Sequence, residues 1–268
     1  WPLTAPLYTL LEPVADASYE RDRKASPPDS CCIAGTRLDL IKLLIDWIND
    51  SSLESRIFWL YGFVGCGKSA IAQTLSEHFA NMDRLAGSFV FFRQSGDRSR
   101  IGKLAVTIAS QIAEAIPETE PWIRQAVTRK PIIVKPTTSL KSQFQRLIFQ
   151  PLEAAFSQSS TSLEDIEPYL IVIDGLDECG DPESVAAFID LMVEFFRAHS
   201  HIPLRLLIAS RVEEHIRTHL QDDLVKLQDV ADFNPNEDIR RFMRVEFDRI
   251  SKHDRVIQSY MKSQNIKT

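Results

Sequence analysis

The most specific chemical pattern in the chain is Gly62-Phe-Val-Gly-Cys-Gly-Lys-Ser69, which fits G-x-x-x-x-G-K-[ST]. Glycines at these positions let the backbone turn so that several N–H groups point inward, and the helix that follows adds its N-terminal dipole. Such a loop binds anions. Lys68 is spaced to reach the β- and γ-phosphates of a nucleotide, and the Ser69 hydroxyl to bind Mg²⁺. A chance match in a turn is the alternative, but a strand is predicted before the loop and a helix after it, as the pattern requires.

A second group of reactive side chains is Asp174-Gly-Leu-Asp-Glu178, which directly follows the apolar run Tyr169-Leu-Ile-Val-Ile173. An acid at the end of a buried strand is costly unless it meets a cation or a hydrogen bond, and Mg²⁺ held with a nucleotide would satisfy it. Asp174 is therefore the candidate metal ligand, while Asp177 and Glu178 are placed to orient or deprotonate an attacking water. The alternative is a solvated acidic turn.

A third candidate is Arg211, which follows the apolar run Leu204-Arg-Leu-Leu-Ile-Ala209 and Ser210. If the sheet order places this run beside the strand before the phosphate loop, Arg211 could sense the γ-phosphate and stabilise transition-state charge. The alternative is an ordinary arginine at a helix start, where a cation is slightly unfavourable with the dipole.

Apolar runs that alternate with helical patterns must position these residues. Strands are predicted at 57–61, 87–92, 169–173, 204–209 and 224–227. Helices are predicted at 36–48, 69–79, 101–116, 139–156 with a kink or break at Pro151, 183–198, 212–220 and 238–252. Strands that are apolar throughout indicate an α/β fold whose parallel sheet is covered on both faces. Ligands bind such sheets beyond the carboxyl ends of the strands, where all three candidates fall.

The composition narrows the class of protein. The chain has 268 residues and a formal net charge of −6, which argues against general nucleic-acid binding, and no apolar stretch is long enough to cross a membrane. It lacks a signal-peptide pattern, and its first residue, Trp1, leads us to expect a fragment or a processed chain. The spacing of the four cysteines (Cys31, Cys32, Cys66 and Cys179) fits neither a zinc site nor a disulfide framework, so we expect a cytoplasmic setting.

Taken together, these motifs resemble the NACHT domain, a class of STAND signalling ATPases within the P-loop NTPases. The phosphate loop and the extended acidic motif Leu170-Ile-Val-Ile-Asp-Gly-Leu-Asp-Glu178 carry the resemblance. Further matches, to the large set found in filamentous and mushroom-forming fungi, are Cys32-Ile-Ala-Gly-Thr-Arg37, Phe89-Val-Phe-Phe-Arg-Gln-Ser-Gly-Asp-Arg98 and Thr107-Ile-Ala-Ser-Gln111.

The resemblance covers about Cys32 to Ile250 and implies a three-layer ASCE/AAA-like sheet of strand order 5-1-4-3-2 with a C-terminal helical extension. It implies Mg²⁺ with ATP or ADP as ligands, held by Gly35, Thr36, Arg37, Gly62, Gly65, Cys66, Gly67, Lys68, Ser69 and Ala70, with Ser69 and Asp174 on the metal. The residues implied in catalysis are Lys68, Asp177, Glu178 and Arg211, with Asp177 favoured as the base although Glu178 is not separated from it. From the residues alone, Thr36 is predicted only to cap the first helix, and the Cys66 side chain to be a spectator.

By the same resemblance, residues 1–31 are a linker or the tail of an upstream domain, residues 32–232 the nucleotide-binding domain, and residues 233–268 the start of a truncated helical domain. The expected function is a slowly hydrolysing ATP or dATP switch that drives oligomerisation in an immune-like or self-recognition protein. Such proteins carry an N-terminal effector and C-terminal repeats, so the chain is expected to be the catalytic core of a longer protein.

Three other functions stay open. A P-loop kinase would need an arginine-rich lid, for which Arg93, Arg98 and Arg100 are candidates, although a solvated loop explains them more simply. A GTPase usually carries an N-K-x-D signal, which the sequence lacks. A scaffold that binds nucleotide without hydrolysing it is opposed by the acid pair Asp177-Glu178.

Overall fold

A single five-stranded parallel sheet organises the molecule. The structure is a computed structural model that describes residues 5–50, 54–157, 166–254 and 256. The strands lie in the order β2-β3-β4-β1-β5. Their bounds are β1 (Ile57–Tyr61), β2 (Leu85–Val90), β3 (Tyr169–Asp174), β4 (Leu204–Ser210) and β5 (Val225–Asp229). Counted from the opposite edge this is 5-1-4-3-2, so the predicted α/β fold and strand order are confirmed.

The apolar runs of β1, β3 and β4 form the central strands, and both faces of the sheet are covered there. Along β1, Ile57 and Trp59 belong to one buried cluster, whereas Phe58 and Leu60 belong to another on the opposite face. The same alternation holds along β3 and β4. Side chains of successive strand residues point to opposite faces, so a run that is apolar at every position fits only a sheet between two helical layers.

Ten α-helices of the described residues surround the sheet. They are α1 (Leu7–Leu11), α2 (Leu38–Asn49), α3 (Lys68–Ala80), α4 (Leu104–Ala115), α5 (Glu120–Arg129), α6 (Leu140–Phe144), α7 (Gln150–Ser157), α8 (Pro182–Ala198), α9 (Glu214–Arg217) and α10 (Asn236–His253). Helices α2 and α3 contribute to one buried cluster, and helices α1 and α4 to α9 contribute to the other.

Several predicted elements differ in detail from the structure. The helix predicted over 139–156 consists of α6 and α7 joined by the π-helical turn Gln145–Phe149, which ends two residues before Pro151. Proline has no N–H to donate and its ring crowds the preceding turn, and a wider turn relieves both. The helix predicted over 212–220 is reduced to α9, the last strand is shifted to Val225–Asp229, and α5 was not predicted. Residues 158–164 of the predicted polar loop lie outside the described residues.

The described part of the N-terminal segment, residues 5–31, packs on the sheet domain. Leu7, Leu11 and Ala17 belong to the main buried cluster, and the backbone N–H of Val14 donates to the Thr107 hydroxyl on α4 at 3.0 Å. The segment was predicted to be a linker or tail, yet it buries side chains as a part of the core does. The domain boundary near residue 31 stays a prediction.

Leu11→Ala should therefore lower the free energy of unfolding by about 3 kcal/mol, because the Leu11 side chain is fully buried. Thr9→Ala on the exposed side of the same helix is the matched control and should change it by less than about 0.5 kcal/mol. Urea unfolding followed by circular dichroism measures both. Equal unfolding midpoints for the two variants would show that α1 does not belong to the folding unit.

None of the helices in the described part of the chain has the length and apolar character needed to cross a bilayer.

Candidate functional site

The parallel register brings the ends of three strands together. Val90 pairs with Asp174, Asp174 with Ala209, and Ser210 with Tyr61. The residues that directly follow β1, β3 and β4 therefore share one edge of the sheet. The phosphate-loop pattern, the acidic turn and Arg211 are the three sequences that occupy this edge.

The phosphate-loop pattern adopts the tight turn that its glycines allow. Gly65 and Gly67 have φ angles of 78° and 97°, in the left-handed region that glycine enters without steric cost. Helix α3 begins at Lys68, directly after Gly67, so the loop lies at the positive end of the helix dipole. The tip of the loop, Phe63 and Val64, is exposed. This arrangement is the one expected of an anion cradle.

The Lys68 ammonium folds back over the loop. Its Nζ donates to the carbonyl oxygens of Gly62 and Phe63, each at 2.8 Å, and lies 3.6 Å from Cys66 Sγ. A lysine held by carbonyl dipoles keeps its positive charge at the loop and can exchange those neutral partners for phosphate oxygens, which bind an ammonium more strongly. Cys66 therefore touches Lys68 through its sulfur, although it fills a variable position of the pattern.

Asp174, at the end of β3, is a buried carboxyl group with only 4% of its surface exposed. Burial raises the pKa of Asp174 to about 6, and the negative charges of Glu178 and Asp177 add to this effect. A hydrogen bond from Ser69 and the positive charge of Arg21 act in the opposite direction. The site thus presents an acid whose negative charge is poorly compensated by the protein alone.

Asp174 and Ser69 fit a Mg²⁺ ion that arrives with a nucleotide. Both offer the oxygen ligands that Mg²⁺ prefers, and Mg²⁺ is usually bound through one or two protein groups plus phosphates and waters. Within the described ranges, no group of three or more His, Cys, Asp or Glu side chains is arranged to hold a metal by itself. The donor set therefore suits a shared ion, held partly by phosphate, rather than a closed protein site.

A glycine makes the sharp turn after Asp174 possible. Gly175 has a φ of 70°, and a Cβ at this position would lie 3.0 Å from the Phe91 carbonyl oxygen. Its N–H donates to the Ala209 carbonyl of β4 at 2.8 Å. The turn leads into the single 3₁₀ turn Leu176–Glu178, which carries the acid pair.

The two acids of this turn have different partners. The Asp177 carboxylate, 4% exposed, accepts the Arg211 backbone N–H at 2.9 Å and Arg211 Nε at 2.6 Å. The hydrogen bond that Arg211 donates to Asp177, together with the negative charge of Asp177, raises the pKa of Arg211. Glu178 is half-buried, and its Oε2 accepts the backbone N–H of Arg93 at 2.9 Å. The exposed Arg93 also donates from Nη2 to the Asp177 carbonyl at 3.0 Å.

The buried side chain of Trp59 is linked to Arg211 through the Ser210 hydroxyl. Trp59 Nε1, on β1, donates to the Ser210 hydroxyl at 2.8 Å, and that hydroxyl donates to the Arg211 carbonyl at 2.9 Å. The end of β4 is thus tied to β1 through side chains as well as through the sheet.

The turn Gly35–Arg37 lies beside the phosphate loop. Arg37 Nη2 donates to the Cys66 carbonyl at 2.8 Å, and the Arg37 backbone N–H donates to Asp238 of α10 at 3.1 Å. The prediction that Thr36 caps the first helix is wrong, because Arg37 occupies the N-cap with a φ of 56° and the Thr36 hydroxyl donates to the Ile33 carbonyl at 2.7 Å. Helix α2 has no side-chain cap, and Asp238 binds the N–H of the N-cap residue itself.

The part of the chain that forms this site matches a known protein family. The family model described as nephrocystin 3, N-terminal, matches residues 42–211, which is more than half of the chain. The chain belongs to the nephrocystin 3 N-terminal family. The matched range holds the phosphate loop, the acidic turn and strands β1 to β4, and it ends at Arg211. No curated protein matches the chain significantly.

Some contributors to the site of this nephrocystin 3 N-terminal family member were not predicted from the sequence. They are Arg21 and Asp238, whereas Arg93 was named only as a candidate lid residue of a kinase. Arg21 lay in the presumed linker, and Asp238 is about 200 residues away from its partner Arg37. The predicted solvated loop is wrong for Arg98, which is only 1% exposed and donates to the carbonyls of Val90 and Pro27.

Proposed function

We propose that the chain is a Mg²⁺-dependent ATP or dATP switch with slow hydrolysis, of the NACHT class. The observation that carries this proposal is the meeting of Lys68, Asp174 and Arg211 at the ends of three adjacent strands. Each supplies a different part of phosphate chemistry: an ammonium for the phosphates, a carboxylate for Mg²⁺, and a guanidinium for the γ-phosphate. Bound Mg²⁺ would neutralise charge on the phosphate oxygens.

In hydrolysis, a water oxygen would attack the γ-phosphorus while one carboxylate of the acidic turn takes the water's proton. The bond between the γ-phosphorus and the bridging oxygen of ADP breaks, and ADP and inorganic phosphate leave. Lys68 and Arg211 would stabilise the charge on the transferred group. The phosphate loop, with Gly62, Gly65, Cys66, Gly67, Lys68, Ser69 and Ala70, would hold the phosphates, and Gly35, Thr36 and Arg37 would lie on the base side.

We further propose that the output is assembly of a longer cytoplasmic protein, with an N-terminal effector and C-terminal repeats, in immune-like or self-recognition signalling. The motif matches to fungal NACHT proteins support this class. Loss of the γ-phosphate commonly changes the order of a neighbouring segment, which is how such switches report their state. Helix α10 contacts the Gly35–Arg37 turn directly, so a change at the nucleotide could alter the position of the segment that follows the sheet.

The nucleotide and the products distinguish this function from its alternatives. We expect ATP to compete better than GTP for one site and to yield free phosphate slowly, with no phosphorylated acceptor. Competition binding with a fluorescent ATP analogue and a phosphate-release assay measure both. A phosphorylated small molecule would favour a kinase, although Arg98 is buried and Arg93 contacts the acidic turn, so neither is free to act as a lid residue. Tighter binding of GTP would favour a GTPase.

A further inference from the structure

The contacts of Asp177 differ from those expected of a catalytic base. A base needs a carboxylate oxygen that can reach the proton of the attacking water. Both Asp177 oxygens already accept hydrogen bonds from Arg211, one from the backbone N–H and one from Nε. The side chain is 4% exposed, whereas 39% of the Arg211 side chain is exposed. Asp177 therefore faces the arginine, and the arginine faces solvent at the site.

Glu178 is better placed to work on a water. It is half-buried, and its described hydrogen bond is a single one, from the Arg93 N–H to Oε2. One carboxylate oxygen bound by a backbone donor orients the group and leaves the other oxygen able to accept a proton. The two neighbouring acids thus lie in environments that suit different roles.

We propose that Asp177 is a positioning residue that acts through Arg211, and not the base that takes the proton of the attacking water. This inference rests on the proposed nucleotide switch and assigns the regulation of the same site. The two hydrogen bonds that Arg211 donates to Asp177 fix it at the end of β4, beside the strand that leads into the phosphate loop. The side-chain bond to Asp177 uses Nε, so the terminal Nη groups of Arg211 can still donate to a γ-phosphate.

This placement of Arg211 gives the site a means to distinguish ATP from ADP. With ADP no γ-phosphate is present to accept a hydrogen bond from Arg211. With ATP the guanidinium is shared between Asp177 and the γ-phosphate, and the aim of Arg211 decides how strong that contact is. Loss of Asp177 should therefore alter nucleotide preference, which loss of a base does not.

The test compares Asp177→Asn, Arg211→Gln, their double variant and Glu178→Gln. The affinities for Mg-ATP and Mg-ADP and the single-turnover hydrolysis rate are measured for each. We expect Asp177→Asn and Arg211→Gln each to lower the preference for ATP over ADP by about tenfold, with no further loss in the double variant. Glu178→Gln should leave this preference within about twofold and slow hydrolysis by about a hundredfold.

Two further variants keep the result clear. Asp223→Asn, an exposed acid remote from these contacts, is the matched control and should change neither quantity. Asp177→Glu retains a carboxylate but displaces Arg211, so it should also lose ATP preference, and it serves if the Asn variant does not fold. Additive effects of Asp177→Asn and Arg211→Gln, or an unchanged ATP preference in both Asp177 variants, would overturn the inference. Failure of the wild-type chain to bind either nucleotide would instead remove the proposed function, and the inference with it.

Discussion

Lys68→Ala should lower the affinity of the chain for Mg-ATP by about a hundredfold. The ammonium is the only cation that the phosphate-loop pattern itself supplies, and charge-assisted hydrogen bonds to phosphate are worth about 1.5–3 kcal/mol, or roughly 10- to 100-fold in affinity. We place the effect at the upper end because Lys68 is half-buried and its present partners are the neutral carbonyls of Gly62 and Phe63, which it can leave. Competition against a fluorescent ATP analogue measures the change.

A surface lysine is the matched control for this variant. Lys42 on α2 is 75% exposed and pairs with Asp46 one turn away, so Lys42→Ala should leave ATP affinity unchanged. Both variants should unfold in urea at similar concentrations, which separates binding from folding. Equal ATP affinity in Lys68→Ala and the wild type would contradict the assignment of the phosphate loop.

Asp174→Asn should weaken Mg²⁺-dependent ATP binding and should stabilise the nucleotide-free protein. It should remove the dependence of ATP affinity on Mg²⁺, because an amide oxygen replaces the buried carboxylate. It should also stabilise the nucleotide-free protein at pH 8 by about 2–3 kcal/mol, because burial raises the pKa of Asp174 from 3.8 to about 6. The wild-type carboxylate would thus lower the stability of the protein while serving ligand binding, as functional residues commonly do.

The stability gain of Asp174→Asn should depend on pH. A group with a raised pKa binds its proton more tightly in the folded state, so the folded protein is favoured below about pH 4 and loses that advantage as the pH rises through about 6. The stability gain of Asp174→Asn should therefore be present at pH 8 and vanish near pH 4. Urea unfolding at the two pH values, with Asp223→Asn as the exposed control, measures it. A gain that is equal at both pH values would show that the charge of Asp174 is not its cause.

The parts of the site that the sequence predicted are those encoded locally. The phosphate loop, the acid after β3 and the arginine after β4 each follow an apolar run, and such runs predict central strands of a parallel sheet. The carboxyl ends of those strands then had to share one edge. The family resemblance supplied the strand order, and the structure confirms it.

The side-chain pairings could not be predicted, because they depend on distant parts of the chain. Asp177 pairs with Arg211 only because β3 and β4 are neighbours in a particular register. Arg37 lies in the left-handed region at the start of α2, and its N–H donates to Asp238 on the last helix. Spacing within a motif carries no information about either pairing.

Helix α5 was not predicted because it buries few apolar side chains. Helix α5 buries only Ile123 and Val127, one turn apart, so its periodic signal is short. The N-terminal segment is similar, since its few buried residues are separated by charged and proline-rich stretches. In both cases packing against α4 supplies the stability that the local pattern lacks.

Hydrogen–deuterium exchange with and without Mg-ATP tests the central claim most directly, since it reports where on the chain the nucleotide acts. We expect added protection of backbone amides in residues 62–70, 174–178 and around Arg211, where the three strand ends meet, and no such protection in Lys68→Ala. Protection confined to other parts of the chain, or equal protection in the wild type and Lys68→Ala, would contradict a nucleotide site at this edge of the sheet.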